Sequence, residues 1–533
     1  MPAVVCLWVL GFVAAVALLA GTAGGLTTNP GVSIFESDTA TPVLEAQSIL
    51  QGHVLLNGWR MLYDSFWSVE VPFYVAGVAV TGVSPVLLYV VPAVLAVLLL
   101  LTAALMARQG LRGGAAAAAV GTVIALIGLP SDVWATLLLH GAWHVGTMLW
   151  CLLAFLGLRS NRWGVGWWVA VVLLTAGLIG DLQTVAYGIG AVAVAGVFAT
   201  IRTRRWLGGA AALSAAAAAV LGAVLLRTLL SAWGAWTIGN INAPASHDQR
   251  WKNLGNLPEW LPRVFGVGTG DWGHNGVPAA LTAVRWIAVL AVVVAVLIAL
   301  GSMLAGMVWP AGPRGKDRPR RPGGEAWRID DMLLLAALAD LAFYVYAAQS
   351  DLPGYLRYLA PFVVFGSILA ARQAGRAFAA LRAGLPRRAV TAAGGLVTAL
   401  FAAAFLVTAV QPTRPLTNAD LATFLADHDL TNGVGAYWTA AMTTVASSDQ
   451  VRVRPVTLHD GHVVRYGRQS SADWYADQRF EFLVFDSTDN WGGINLESVT
   501  LALGPPEHVY QVGTFRVVVW PSPVYIDPAA VAG

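Results

Sequence analysis

Runs of about 17–25 apolar residues, the length a helix needs to cross a hydrocarbon core, recur along the first 410 positions, separated by short polar breaks. The pattern predicts eleven spans: Val4–Leu26, Pro85–Met106, Ala115–Leu129, Val133–Leu158, Trp163–Ile179, Leu182–Ile201, Trp206–Leu230, Leu281–Trp309, Met332–Ala348, Leu352–Ala371 and Val390–Val410. The apolar piece Val71–Thr81 is too short to cross alone, and its glycines with Pro85 predict an interfacial or re-entrant segment. A short amphipathic stretch, Pro42–Leu50, precedes it, with Pro42 expected at the first helical position and Asp38 or Thr41 as its cap. Beyond residue 410 the pattern changes. Asp420–His428 and Thr439–Ser447 read as helices, while Gly433–Ala436, Val451–Val453, Phe482–Phe485 and Phe515–Trp520 read as strands; Glu497–Leu503 fits neither pattern cleanly. Helices alternating with short apolar strands predict an α/β unit. The expected fold is a polytopic α-helical membrane module over 1–410, with outer loops 27–84 and 231–280, followed by an extracytoplasmic α/β domain over 411–533.

Composition agrees with that reading. The chain is 57% hydrophobic and 11% charged, with a mean hydropathy of +0.65, which excludes an ordinary soluble protein. More than half of the 32 basic residues fall in five short loops, around Arg108, Arg159, Arg202, Arg314 to Arg328 and Arg372 to Arg388. Such loops stay cytoplasmic, so the bias predicts an inner N-terminus and an outer C-terminus. Met1–Leu26 has no basic leader and is expected to remain as the first span. Cys6 and Cys151 both lie inside apolar runs, so no disulfide framework is expected. The net charge of +3 points to no nucleic-acid partner.

Candidate chemistry therefore rests on the few polar groups at membrane edges. Asp38 lies just beyond the first span, with Glu36 beside it and an isolated Glu70 further along the same loop. Asp132 and Asp181 occupy matching tight turns, where Asp commonly caps the following helix. His140 and His144 are four apart and would share one helix face, but no third ligand accompanies them. Arg357, one turn into the tenth span and close to Tyr355, can hold a lipid phosphate bidentately or snorkel to the interface. Arg60 is a second candidate of that kind. Trp251 and Trp272, with other second-loop tryptophans, fit a saccharide groove and an interfacial aromatic belt equally well. No cofactor is predicted from the motifs; a divalent metal stays open, without a full ligand set in the spacing to support it.

Several short segments resemble one family. Ser37-Asp38-Thr39-Ala40 followed by Leu44-Glu45-Ala46-Gln47-Ser48-Ile49-Leu50-Gln51-Gly52 is similar to the opening of the GT-C-type membrane glycosyltransferases that include protein mannosyltransferases and aminoarabinose transferases. Ser68-Val69-Glu70 resembles that group's Ser-Leu-Glu, Arg357-Tyr358-Leu359-Ala360-Pro361 its Arg-Tyr-Leu-x-Pro, and Tyr437-Trp438-Thr439-Ala440 its Tyr-Trp-x-Ala. Thr39 departs from the second acid that members often carry. The resemblance implies sugar transfer from a polyprenyl-phosphate donor to a glycan, glycolipid or protein acceptor at the outer face of the cytoplasmic membrane. Asp38 would be the base, Glu70 and Glu36 would orient acceptor or loop, and Arg357, Arg60 and Tyr355 would hold the donor phosphate. Asp132, Asp181, His144, Trp251 and Trp272 would line the substrate groove. A carrier of lipid-linked glycans, a surface-polysaccharide ligase and a glycan-binding relative without activity are the alternatives.

Overall fold

The structure, a computed structural model, describes residues 36–128, 132–141, 143–239, 244–267, 279–308, 328–348, 353–382, 418–476 and 478–532. The expected spans Val4–Leu26 and Val390–Val410 lie outside the described residues, as does Trp272.

The first loop forms helix α1 (Ser37–Leu50), strand β1 (Trp59–Met61) and helix α2 (Val71–Thr81), the last coinciding with the expected short apolar segment. The apolar helices follow: α3 (Leu87–Ala107), α4 (Gly113–Gly128), α5 (Asp132–Leu139), α6 (Val145–Gly157), α7 (Val165–Gly180), then a π-turn Thr184–Gly190 running into α8 (Ala191–Thr203), and α9 (Ala210–Ala232). Strand β2 (Thr237–Ile238) and α10 (His247–Val264) lie in the second loop, before α11 (Ala279–Val308), α12 (Ile329–Tyr346), a 3-10 turn Pro353–Leu359 and α13 (Ala360–Arg382).

Among the described residues four helices are long and apolar enough to cross a membrane: Leu87–Ala107, Thr184–Thr203, Ala210–Ala232 and Thr282–Val308. The bent pair Gly113–Gly128 and Val133–Leu139 gives a fifth, while Val145–Ser160 and Val165–Gly180 are apolar but shorter. Two expected spans are not single helices. Val133–Leu158 is broken between α5 and α6, where His144 adopts the left-handed conformation at φ 69°, so His140 and His144 do not share a helix face. Leu352–Ala371 begins as the 3-10 turn, and α13 starts only at Ala360. There the buried Asp340 of α12 accepts a hydrogen bond from the Phe362 backbone N–H at 2.9 Å, satisfying one of the orphan donors of the α13 N-terminus.

Basic and acidic residues tie the helices at one end. Arg202 on α8 meets Asp331 on α12 at 2.8 Å, and Arg372 and Arg376 on α13 both bind Asp330. Arg372 also donates to the Met106 and Gln109 carbonyls at the end of α3.

The C-terminal residues build a seven-stranded sheet. Its elements are α14 (Ala419–Asp427), β3 (Asn432–Ala436), α15 (Tyr437–Ala446), β4 (Arg452–His459), β5 (His462–Tyr466), β6 (Ser470–Ser471), β7 (Phe480–Asp486), α16 (Leu496–Leu503), β8 (His508–Val512), β9 (Phe515–Val524) and β10 (Val531–Ala532). Strand order is β10-β5-β4-β3-β7-β9-β8, with β3 parallel to β4 and β7, and β8-β9 and β4-β5 antiparallel. Buried Val434, Val456, Phe480, Leu483 and Val518 form the core on one side, and Leu421, Leu425, Val453, Phe482 and Val517 that on the other. Strand β6 leaves this sheet to pair with β1, itself parallel to β2. One small sheet thus joins the first and second loops to the C-terminal unit.

Candidate active site

Helix α1 starts five residues earlier than Pro42 would place it. Glu36 is its N-cap in extended backbone, its N–H bonded to Thr39 Oγ1 at 3.2 Å, and Asp38 falls in the first turn. Negative charge is favoured there by the helix dipole. Pro42 sits inside the helix, where it cannot donate to the Asp38 carbonyl. Every residue from Thr39 to Ala46 is buried, which leaves Asp38 half-buried at the start of a firmly packed helix.

The C-terminal unit reaches Asp38 directly. The Tyr437 hydroxyl bonds to Asp38 Oδ1 and to Gln469 Oε1, and Ser37 Oγ donates to the Tyr437 carbonyl. A phenol has one proton, so donation to Asp38 leaves the Gln469 contact to be made by an amide N–H. Gln47 Nε2 adds a 2.8 Å bond to Asp449 further along the same face.

Arg357 is brought to this group through stacked rings. Glu36 Oε1 lies 2.9 Å from His140 Nε2, the His140 ring stacks on Trp143 at 3.5 Å, and the Arg357 guanidinium lies 5.4 Å from the Trp143 ring centre. Arg357 also bonds Tyr358 Oη at 3.3 Å. Burial pushes the Glu36 carboxyl up to about 7, with Arg357 opposing. Asp38 is raised above its usual range by burial and then by Glu36, while Tyr437, Arg357 and His140 pull it back. One cation therefore acts on both acids.

A second group lies at the tips of α6 and α7. Glu70 is fully buried, and its Oε1 accepts the Gly146 backbone N–H at 2.9 Å, capping α6 from another element. Asp181 is also fully buried: its Oδ2 accepts from His144 Nδ1 (2.7 Å) and Thr147 Oγ1 (2.5 Å), and its Oδ1 from Gln183 N (2.9 Å). Asp64 receives the Leu182 N–H at 3.3 Å. Asp64, His144 and Asp181 have ligand-type atoms all within 4.8 Å of one another. Burial and then Asp181 hold the Asp64 carboxyl well above the ordinary range, and Arg357 again opposes.

Other expected positions are placed elsewhere. Arg60 lies on β1, packed against Gly239 and Gly467 in the joint to the C-terminal unit. Trp251 stands exposed on α10, bonded to His247, and Trp236 is buried beneath Arg227. Asp132 begins α5, and Tyr355 belongs to the 3-10 turn that carries Arg357. Asp64, Tyr437 and Gln469 were not singled out as site residues from sequence. Tyr437 had a signal in its Tyr-Trp-x-Ala element, whereas Asp64 meets its partners only through the fold.

No protein-family model matches the chain, and no curated protein sequence matches it. Among solved structures the fold is similar to ArnT from Cupriavidus metallidurans in the apo state, with a TM-score of 0.53 at 14% identity over 96% of this chain and 97% of that one. The same protein bound to undecaprenyl phosphate gives a TM-score of 0.51 at the same identity and coverage. An oligosaccharyltransferase from Archaeoglobus fulgidus in complex with Zn and sulfate gives 0.45 at 13% identity, over 93% of this chain and 70% of that one. The ArnT likeness establishes a shared fold over nearly the whole chain.

Proposed function

We propose that the chain is an integral-membrane glycosyltransferase moving a sugar from a polyprenyl-phosphate donor to an acceptor hydroxyl on the outer face of the cytoplasmic membrane. The observation that carries this reading is the half-buried Asp38 carboxylate, bonded to Tyr437 and sharing the field of Arg357. The fold shared with ArnT, which has been seen with undecaprenyl phosphate, supports the donor class.

Asp38 takes the proton from the acceptor hydroxyl as its oxygen attacks the anomeric carbon. The bond between that carbon and the phosphate oxygen breaks, and polyprenyl phosphate leaves with the electron pair. Attack opposite the leaving group inverts the anomeric centre. Arg357 receives the charge that develops on the phosphate, where a fixed donor in an enclosed site is most effective. Burial and the neighbouring Glu36 raise the basicity of Asp38, while Tyr437 and Arg357 act in the opposite direction and favour its charged form. Glu70 acts as a positioning residue, holding the α6 end from which His144 projects.

The test is incubation of the full chain in lipid nanodiscs with a panel of labelled polyprenyl-phosphate sugars and membrane acceptors. The proposal predicts labelled acceptor together with free polyprenyl phosphate. Labelled donor moved across proteoliposomes without cleavage would instead establish a carrier.

A further inference from the structure

The C-terminal sheet reverses its strand order at β3. From β3 the chain passes through α15 to β4 on one side, while β7, also parallel to β3, lies on the other. In α/β sheets a ligand crevice forms outside the carboxyl ends of the strands at such a reversal. Here β3 ends directly in Tyr437 and Trp438, and the turn after β7 carries Trp491. Between ring centres, Tyr437 lies 4.9 Å from Trp438, 4.7 Å from Tyr466 and 5.5 Å from Trp491. Trp491 in turn lies 4.9 Å from Tyr466. The turn is fixed: Thr457 Oγ1 of β4 donates to the Gly492 carbonyl at 3.2 Å, and Gly492 and Gly493 hold left-handed backbone. Tyr437 and Tyr466 are buried, whereas Trp438 and Trp491 are only half-buried. The Asp38 charge acts on Tyr466 as well as on Tyr437, so the ring cluster borders the proposed base. Arg468 also acts on Tyr466, and its Nε is buried without a hydrogen-bond partner.

We propose that this crevice holds the acceptor and that the acceptor is a neutral saccharide. The faces of aromatic rings carry partial negative charge, which attracts the polarised C–H groups on the flat side of a sugar ring. A peptide in the same place would bring backbone N–H and C=O groups that ring faces leave unsatisfied. An acidic sugar would meet the Asp38 carboxylate, and like charges side by side repel. The Arg468 Nε offers a donor to a sugar oxygen, the kind of placed polar group that orients a ligand in a mainly aromatic crevice. A saccharide lying on Trp491 and Trp438 brings a hydroxyl beside Tyr437, whose own hydroxyl bonds Asp38. The saccharide site rests on these residues alone; its part as the acceptor subsite rests on the glycosyl-transfer reading.

The full chain in lipid nanodiscs is mixed, without donor, with short neutral oligosaccharides of hexose or pentose, and with the same sugars carried on a lipid. Saturation-transfer NMR reads which sugar protons touch the protein. The expected result is transfer to the C–H protons of one sugar face, lost in Trp491→Ala and retained in Trp163→Ala, an exposed tryptophan before α7. Contact with the soluble sugars marks a glycan chain as the source, and contact with the lipid-carried sugars alone marks a glycolipid headgroup. In transfer, Trp491→Ala should raise the acceptor KM about tenfold with kcat little changed, and Trp491→Phe should recover most of the loss. The wild-type spectra stand even if Trp491→Ala fails to fold. Saccharide contact in a chain that cleaves no donor keeps the crevice and fails the glycosyl-transfer reading. No saccharide contact in the wild type, or an acceptor KM unchanged in folded Trp491→Ala, overturns the proposal, whatever donor cleavage shows.

Discussion

At the residue scale, two substitutions around Asp38 move its proton affinity in opposite directions. The proposed role of Asp38 as general base requires its ionised form, so kcat/KM is expected to fall as pH drops through the folded-state value of Asp38. That value is raised, first by burial and second by the charge of Glu36, and Tyr437 opposes the rise. Glu36→Gln removes a raising influence and shifts the acid limb of the pH profile to lower pH. Tyr437→Phe removes a lowering influence and shifts it to higher pH. Burial pushes the Glu36 carboxyl up to about 7, so its charge raises Asp38 only in the part of the limb that reaches neutrality or above. A pH series of kcat/KM on the three proteins checks both signs, and an unchanged limb in both variants would separate Asp38 from the rate. The isolated position of Asp38 beyond an apolar run made it stand out from sequence alone. Its partner Tyr437 lies 399 positions away, and no local pattern connects the two.

At the scale of elements, the break between α5 and α6 organises the site. Spacing alone put His140 and His144 on one helix face. The chain instead turns between them, sending His140 to Glu36 and His144 to Asp181. Close packing enforces the turn: a Cβ at Gly141 would collide with the Tyr74 hydroxyl, and one at Gly146 would lie 2.9 Å from the Glu70 carboxyl carbon. Gly146→Ala should therefore push the Glu70 carboxyl off the α6 N-terminus and cost roughly 1–2 kcal/mol, the usual worth of a lost cap. Thermal melting reads this as a lower midpoint, whereas Gly255→Ala, with open space around it, should change little. The sequence placed α2, α3, α7 and α9 closely because each is a nearly unbroken apolar run bounded by polar or glycine-containing breaks. It missed β5 and β8: β8 is half to fully exposed along its length and carries no clean alternation. The helix α1 start was misplaced because Pro42 looks like a first position, while the packing that buries Thr39 to Ala46 carries the helix back to Ser37.

At the scale of the whole molecule, the C-terminal unit is part of the site, because Tyr437 reaches Asp38 only while that unit is docked. Docking rests on the β1-β6 pairing and on Trp474, which meets Trp59 edge-on at 4.7 Å and covers the Arg454 guanidinium at 4.4 Å. Ring contacts of this kind contribute about 0.5–1.5 kcal/mol beyond burial. Trp474→Ala should loosen the joint, seen as faster hydrogen exchange at residues 58–61, and lower transfer several-fold although it lies outside the Asp38 contacts. Leu501→Ala, an exposed position on α16, should do neither. The sequence pattern changes after residue 410, from long apolar runs to short helices and strands in alternation. The joint was not legible there, because its strands are two or three residues long and pair across both loops.

The measurement that bears most directly on the account is single-turnover sugar transfer from a polyprenyl-phosphate donor by wild type and by Asp38→Ala, each verified as folded by thermal melting. Removal of the general base should slow transfer by about 10²–10⁴-fold with donor binding retained. Transfer at the wild-type rate by the folded variant would contradict the assignment of Asp38 as the base.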